Sequence, residues 1–289
     1  MDRVVRRIAV LGTCWASLFA FVAFTALIAL TAGSATAEGR VVLIGTTNAL
    51  KDSGVVDFLL KGFVEKSGFS VRVSAREIGA VVVKARKGEV DVILSDSPVA
   101  EDGLLKEGAV TRRTPFMESR FVIVGPKADP AHIAGVAKPE AALGQILRFH
   151  SPFVTRGDDS TAHVRERELM RSAGFDPDSR LDGVYRTGTS MRDSLRVASE
   201  RKAYILADLG TWLAMKNALD LVVLSKPAKS LAIVESILQL DSTRTGRTIE
   251  LEGAKALEKY LLSPEVQAKI AAFSVDRLGE APFSPETLP

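Results

Sequence analysis

The sequence predicts an α/β fold of two lobes, each a mostly parallel sheet flanked by helices. Three observations predict it. Short apolar runs rich in β-branched residues alternate along the chain with longer segments of helical periodicity, which is the pattern of strand–helix–strand units. A polar, proline-bearing segment, Pro126–Pro139, interrupts this alternation before a second series begins. About 250 residues follow the apolar N-terminal segment, enough for one large domain or two lobes.

The N-terminal segment has the three parts of a secretory signal peptide. Three arginines within the first seven residues precede an uncharged apolar run over residues 8–31, and small residues then end in Ala35-Thr36-Ala37. We therefore predict that residues 1–37 are a cleaved signal peptide and that the mature protein is periplasmic or otherwise outside the cytoplasm. The apolar run is also long enough to span a bilayer, so an uncleaved membrane anchor is the alternative.

Composition excludes several classes of function. The chain has 38 basic and 35 acidic residues, and loss of the N-terminal arginines leaves the mature protein close to neutral. It thus has no broad positive field for nucleic acid. The one cysteine, Cys14, lies in the signal segment, so the mature chain has neither a disulfide framework nor a thiolate metal site. We expect a monomer with no cofactor, no metal and no nucleic-acid partner.

The first strand–helix series begins at Val41. Its predicted strands are Val41–Thr47, Ser70–Ile78 and Val90–Leu94, and its predicted helices are Asp52–Ser67, Gly79–Lys87 and one that begins at Pro98. Gly68 ends the first helix because glycine readily adopts the left-handed conformation of a C-cap. Ser97 is a good N-cap, and proline fits the first turn of the helix that follows it.

The second series follows a strand at Arg120–Gly125. Its predicted helices are Glu140–Arg148, Thr161–Ala173, Met191–Arg201 and Gly210–Asn217, and its predicted strands are Phe153–Arg156, Gly183–Arg186, Ala203–Ala207 and Leu221–Leu224. An extended run, Leu231–Leu240, then leads to helices at Glu250–Leu262 and Ser263–Ala272. We predict one lobe from residues 38–119 and 236–289 and another from 120–235, with two hinge crossings and a ligand cleft between them.

The segment Phe153–Ser160 is the most informative short stretch. A strand ends in Arg156, Gly157 relieves the backbone at the turn, and Ser160 is a good N-cap for the helix entered at Thr161. Free N–H groups at a helix start and a guanidinium beside them suit a small tetrahedral anion. The alternative interpretation is a surface arginine paired with the two aspartates between Gly157 and Ser160.

No constellation in the sequence predicts an enzyme. The three histidines lack the spacing of a zinc site, and the chain has no nucleophile elbow, phosphate loop or dinucleotide fingerprint. Ser160 and His163 could be imagined as a catalytic pair, but the start of a helix explains their spacing better. We therefore predict a binding protein and not an enzyme.

Several stretches, in order along the chain, carry a resemblance to one family. They are Thr46-Thr47 with Asp52-Ser53-Gly54, Gly88–Leu94, Arg112-Arg113, Phe121–Pro126, and Phe153–Ser160 with His163. On these the chain resembles the tungstate-binding periplasmic components of ABC importers, from about Val42 to Phe283. The resemblance implies a periplasmic-binding-protein fold, capture of a tetrahedral oxyanion between the lobes, with tungstate the leading ligand and molybdate close to it, and delivery to an ABC permease.

The resemblance also implies where the anion is held. In the family, a loop after the first strand and the arginine of the Arg-Gly-Asp-Asp-Ser segment bind it, which here are Thr46, Thr47 and Arg156, with Ser160 at the following helix start. Asn48 and Asp96 differ from the family but stand at strand ends that face the predicted cleft. The predicted ligand contacts are Thr46, Thr47, Asn48, Asp96, Arg156, Ser160 and Thr189. Hydroxyls, amides and one guanidinium donate hydrogen bonds to oxyanion oxygens with little added repulsion.

The chain departs from the family pattern at the ligand loops. Asn48, Ala49 and Leu50 replace hydroxyl-bearing residues, Asp96 adds a carboxylate at the cleft, and Glu235 stands on the second crossing at a usually aromatic position. One interpretation is a reworked oxyanion site in which these acids are solvated or paired with Arg113, Arg120 or Arg192. The other is a drifted ligand, such as phosphate or a small organic solute, in a module that serves as a sensor or as the partner of a membrane protein.

Overall fold

The computed structural model describes residues 40–244, 247–275 and 279–285. The predicted signal peptide, residues 1–37, lies outside these residues. Within the described part of the chain, no helix is both long and apolar enough to cross a membrane.

Parallel strands begin the first sheet, as predicted. They are β1 (Val41–Thr47), β2 (Ser70–Arg76) and β3 (Val92–Ser95), and β1 lies between the other two. The helices of this part are α1 (Asn48–Asp52), α2 (Val55–Ser67), α3 (Ile78–Arg86) and α4 (Pro98–Lys106). Because the three strands are parallel, their carboxyl ends meet at one edge of the sheet, where α/β proteins bind ligands.

The single helix predicted over Asp52–Ser67 is two helices, α1 and α2. Gly54, between them, has φ 84°, a left-handed conformation that interrupts a right-handed helix. The hydroxyl of Ser53 donates to the carbonyl oxygen of Leu50 at 2.7 Å and closes the end of α1. At the other end the prediction is confirmed, since Gly68 is the left-handed C-cap of α2 with φ 74°.

A long strand, β4 (Val110–Gly125), belongs to both sheets. Its first part pairs antiparallel with β9 (Ala232–Leu240), from Val110 opposite Leu240 to Arg120 opposite Ala232. Its last residues, from Phe121, pair with β7 (Tyr204–Asp208) in the second sheet. The sequence predicted only Arg120–Gly125, because the residues before it include exposed polar side chains and a proline that obscure the strand pattern.

The second sheet continues from β7. Its other strands are β5 (Phe153–Thr155), parallel to both β7 and β6 (Val184–Arg186), and β8 (Val222–Val223), antiparallel to β4. The helices are α5 (Pro139–Arg148), α6 (Thr161–Ser172), α7 (Met191–Arg201) and α8 (Leu209–Met215), with 3₁₀ turns at Lys216–Ala218 and Lys229–Leu231. The predicted order of strands and helices in this series is thereby confirmed.

Two lobes result from separate hydrophobic cores. One core contains the buried side chains of β4 after Phe121, of β5, of β7 and of α5 to α8. The other cores lie under the first sheet, and α9 (Leu251–Leu261) and α10 (Pro264–Ala272) return to cover it. A short strand, β10 (Ser284–Pro285), pairs with β4. The fold is therefore the predicted two-lobed α/β architecture, while the residue limits of each lobe stay a prediction.

Candidate functional site

A small cavity lies where the strand ends of the two sheets approach each other. Its volume is about 30 Å³, room for roughly two or three water-sized atoms. Both sheets contribute to its lining, which consists of Thr47, Asn48, Ala49, Glu77, Ile78, Asp96, Phe121, Arg156, Ser160, Thr161, Ala162, Met191 and Asp208. Five of the seven predicted ligand contacts are among these residues: Thr47, Asn48, Asp96, Arg156 and Ser160.

Local structure after β5 positions Arg156 in this cavity. Gly157 adopts φ 63°, and the hydroxyl of Ser160 accepts a hydrogen bond from the backbone N–H of His163 at 3.4 Å, the predicted N-cap of α6. The side chain of Arg156 is almost completely buried. Its Nη2 contacts the carboxylate of Asp158 at 2.5 Å, but its Nε has no hydrogen-bond partner among the described residues. A buried N–H without an acceptor is costly, so the site favours a ligand that supplies one.

Glu77 is a functional candidate that the sequence analysis missed. Its carboxylate accepts from Arg156 Nη2 at 3.3 Å and from Asn48 Nδ2 at 2.9 Å, so it contacts two of the predicted anion donors. The predicted strand Ser70–Ile78 enclosed Glu77, whereas β2 ends at Arg76 and leaves Glu77 as the N-cap of α3. An acidic residue at a strand end could have indicated this role, but the predicted strand extended too far and placed Glu77 inside it.

Asp96 is buried in the cavity between hydroxyls from the two halves of the chain. Thr47 Oγ1 donates to its Oδ2 at 3.2 Å, and Thr161 Oγ1 donates to its Oδ1 at 3.1 Å. Burial raises the pKa of Asp96 to about 6, against the opposing effect of these two hydrogen bonds. One sequence-based interpretation is that Asp96 is solvated or paired with an arginine. In the structure Asp96 is instead buried and bonded to two hydroxyls.

Two more buried acids lie beside Asp96. Together they line a second cavity, of about 10 Å³, in which Asp208 and Glu235 each have one carboxylate oxygen with no partner among the described residues. Asp208 Oδ1 caps α8 by accepting from the N–H of Thr211 at 2.7 Å, and Ser119 donates to Glu235 Oε1 at 2.8 Å. Burial raises the pKa of Asp208, and burial followed by the charge of Asp96 raises the pKa of Glu235 well above its usual range.

Two of the three arginines that could have neutralised these acids are engaged elsewhere. Arg113 contacts Glu101 and Asp102, and Arg120 contacts Glu280. Hydroxyl donors, and not ion pairs with Arg113 or Arg120, therefore accommodate Asp96 and Glu235.

The remaining two predicted contacts lie elsewhere. Thr46 is fully buried in β1 and its hydroxyl has no partner among the described residues, and it does not line the cavity. Thr189 is exposed on the loop before α7, with its hydroxyl 3.5 Å from that of Ser194. The structure thus gathers the residues that follow β1, β3 and β5 but does not bring Thr189 to them.

The arrangement of Ser160 and His163 is that of a helix cap. His163 Nδ1 accepts from the backbone N–H of Asp159 at 3.0 Å, and burial lowers the pKa of this imidazole. That nitrogen is therefore not directed as a base toward the Ser160 hydroxyl. No group of three or more acidic, histidine or cysteine side chains within the described residues is arranged to hold a metal ion.

A family model, sequence relatives and solved structures all match this chain. A model of the PBP superfamily domain matches residues 31–263. The chain is 32% identical over 251 residues to the tungstate-binding protein TupA of Peptoclostridium acidaminophilum, covering 86% of each chain. The structure of the tungstate-binding protein TupA from Desulfovibrio alaskensis G20 superimposes with a TM-score of 0.75 at 28% identity, over 86% of this chain and 99% of that one. The tungstate ABC transporter structure from Geobacter sulfurreducens gives 0.75 at 32% identity, over 81% and 98%.

Proposed function

Since the chain belongs to the PBP superfamily, among relatives that bind tungstate, we propose that it is the solute-binding receptor of an ABC importer. It captures a tetrahedral oxyanion in the cavity at Arg156, and tungstate is the leading ligand. It works outside the cytoplasm and delivers the anion to a membrane permease. The comparisons favour this function over a drifted sensor module.

The environment of Arg156 is the main support for this function. Its guanidinium is buried, lines the cavity between the two sheets, and retains a donor, Nε, that no described residue satisfies. Buried donors without acceptors are uncommon in folded proteins, and a bound ion is one explanation for them. An oxyanion oxygen would satisfy Nε, and a second oxygen of the same anion would take the place of Glu77 at Nη2, so that the fork of the guanidinium holds both.

Other donors around Arg156 complete the site. The hydroxyls of Thr47 and Thr161 and the amide of Asn48 lie in the same lining, and they come from loops after strands of both sheets. A hydrogen bond to a charged group contributes roughly 1.5–3 kcal/mol, so four or five such bonds total about 6–15 kcal/mol, a range that includes about 8–12 kcal/mol. That free energy corresponds to roughly micromolar to nanomolar affinity.

The connection between the lobes suits capture and release. In the crossing region β4 and β9 are hydrogen-bonded to each other, with Met117 opposite Glu235 and Arg120 opposite Ala232. The two crossings therefore bend as one ribbon when the lobes separate. An anion that contacts both lobes binds the closed arrangement better and shifts the equilibrium toward it, and the permease recognises the closed form.

Calorimetry on matched arginine variants tests the proposal. We expect wild-type protein to bind tungstate or molybdate, and Arg156→Ala to weaken binding at least tenfold because it removes a charge-assisted, two-donor contact. Arg156→Lys keeps the charge but loses the fork, so it should recover only part of the affinity. Arg148→Ala removes an exposed arginine of α5 outside the cavity and serves as the control.

The same measurements can contradict the proposal. Circular dichroism and thermal unfolding must first show that the Arg156 variants remain folded. Unchanged affinity in folded Arg156→Ala would show that the anion does not bind at this guanidinium. Absence of binding of tungstate, molybdate, sulfate and phosphate to the wild type would refute the receptor function.

A further inference from the structure

Asp96 creates a problem for any anion that binds beside Arg156. Its carboxyl group lines the same cavity and is 8% exposed. A carboxylate and an oxyanion in contact repel each other strongly when water is excluded. The hydroxyls of Thr47 and Thr161 also direct their hydrogens to Asp96, so those hydrogens are not available to a ligand. The charged form of Asp96 thus opposes binding in two ways.

One proton removes both obstacles. Protonated Asp96 is neutral and can donate its own hydrogen to an anion oxygen. The two threonine hydroxyls are then free to rotate and donate to the anion. Alternatively, a protonated anion donates its hydrogen to the Asp96 carboxylate. In both cases a single proton lies between Asp96 and the bound anion.

Building on the function proposed above, we propose that Asp96 couples oxyanion binding in this cavity to one shared proton and thereby selects anions by their protonation state. A fully ionised anion such as tungstate, molybdate or sulfate binds together with a proton taken from solvent onto Asp96. Hydrogen phosphate brings its own proton. Asp96 is therefore a specificity-determining residue of the site.

The charges around Asp96 support this role. Asp208, across the cavity at the end of β7, disfavours a negative charge on Asp96, and the charge of Asp96 in turn raises the pKa of Glu235, on β9. Arg156 is the cation in the same lining, but its Nη2 contacts Asp158 and Glu77, not Asp96. Burial already raises the pKa of Asp96 to about 6, within reach of neutral pH. Binding of an anion would raise it further.

A pH series of calorimetric titrations tests the inference. For tungstate, we expect the Kd of the wild type to rise about tenfold per pH unit between pH 7 and 8.5, because binding needs a proton that free Asp96 has lost. Titrations in two buffers of different ionisation enthalpy should give an uptake approaching one proton. For phosphate at pH 8, we expect little uptake and a much smaller rise in Kd.

Two isosteric variants locate the proton. Asp96→Asn carries a permanent N–H donor and no charge, so its Kd for tungstate should be flat across this range and, at pH 8, no weaker than that of the wild type. Glu235→Gln mimics the protonated form of the neighbouring acid, which does not line the anion cavity, and should keep the slope of the wild type. Thermal unfolding establishes that both variants are folded.

The outcomes separate this inference from the function on which it depends. Tungstate binding with no proton uptake in the wild type, or a slope that persists in Asp96→Asn, would overturn the role of Asp96 and leave the receptor function standing. A slope lost in Glu235→Gln but kept in Asp96→Asn would move the proton to Glu235. Failure of the wild type to bind any of these anions would overturn both proposals.

Discussion

The guanidinium of Arg156 lies 3.3 Å from the carboxylate of Glu77, 79 residues away along the chain. This contact joins the loop after β5 to the residue between β2 and α3, and so links the two sheets across the cavity. Asn48 holds the other oxygen of the same carboxylate. Glu77 therefore occupies two donors that the proposed anion needs.

Replacing Glu77 should strengthen anion binding. The side chain of Glu77 is 42% exposed, and ion pairs in such positions contribute about 0.2–1 kcal/mol. Glu77→Gln removes this competitor, so we expect the Kd for tungstate to fall roughly two- to fivefold in calorimetric titrations. Glu65→Gln, on an exposed position of α2, is the control. Weaker binding by the Glu77 variant would show instead that Glu77 holds Arg156 in its binding position.

Gly157 is the residue whose backbone places Arg156. Its φ of 63° is unfavourable for other residues, and an added Cβ would lie 2.2 Å from Cγ of Arg186. We expect Gly157→Ala to lose about 1–3 kcal/mol of stability, which lowers Tm by roughly 2–10 °C in thermal unfolding. Gly174 also has a positive φ, 84°, but no atom lies within 4 Å of a Cβ added there. Gly174→Ala should therefore lose less stability than Gly157→Ala. Equal losses in the two variants would exclude a contribution from the contact with Arg186.

Glu166 makes stability depend on pH. It is completely buried on α6, Thr155 donates a hydrogen bond to it, and burial raises its pKa to about 8. Between its ordinary value and about 8, the folded protein keeps a proton that the unfolded chain releases, so the contribution of Glu166 to stability is lost as pH rises through this window.

The variant Glu166→Gln isolates this effect. It keeps the neutral form at every pH, so its stability relative to the wild type should increase from pH 5 to pH 9 when both are unfolded in urea. Glu168→Gln, on the same helix but about half exposed, should follow the wild type at all three of pH 5, 7 and 9. A constant difference between Glu166→Gln and the wild type would mean that Glu166 does not titrate in this range.

The parts of the site that could be predicted from the sequence are those set by neighbours along the chain. The strand before Arg156, the turn at Gly157 and the cap at Ser160 depend on residues a few positions apart, and all three are present as predicted. The helix stop at Gly68 has the same origin. Local backbone preferences and capping hydrogen bonds act within one turn, so a short segment carries all the information needed.

The parts that could not be predicted depend on pairing between distant segments. The first half of β4 is a strand because β9, more than a hundred residues later, pairs with it, although its own residues are largely polar. Thr189 lies outside the cavity because the loop before α7 does not reach the cavity. Glu77 lines the cavity because β2 ends at Arg76, one residue before it. A sequence pattern carries no information on which distant strand end lies near a given side chain in space.

The sequence by itself determined the order of strands and helices, the two-lobed α/β architecture and the position of Arg156 at a strand end, because hydrophobic periodicity and turn chemistry are local properties. Only the tertiary structure decided the state of the acids. Asp96 accepts from Thr161, 65 residues away, and Glu235 is buried against Ser119, 116 residues away. Burial and hydrogen-bond partners decide whether a carboxyl group is charged, and both arise only when the two halves of the chain pack together.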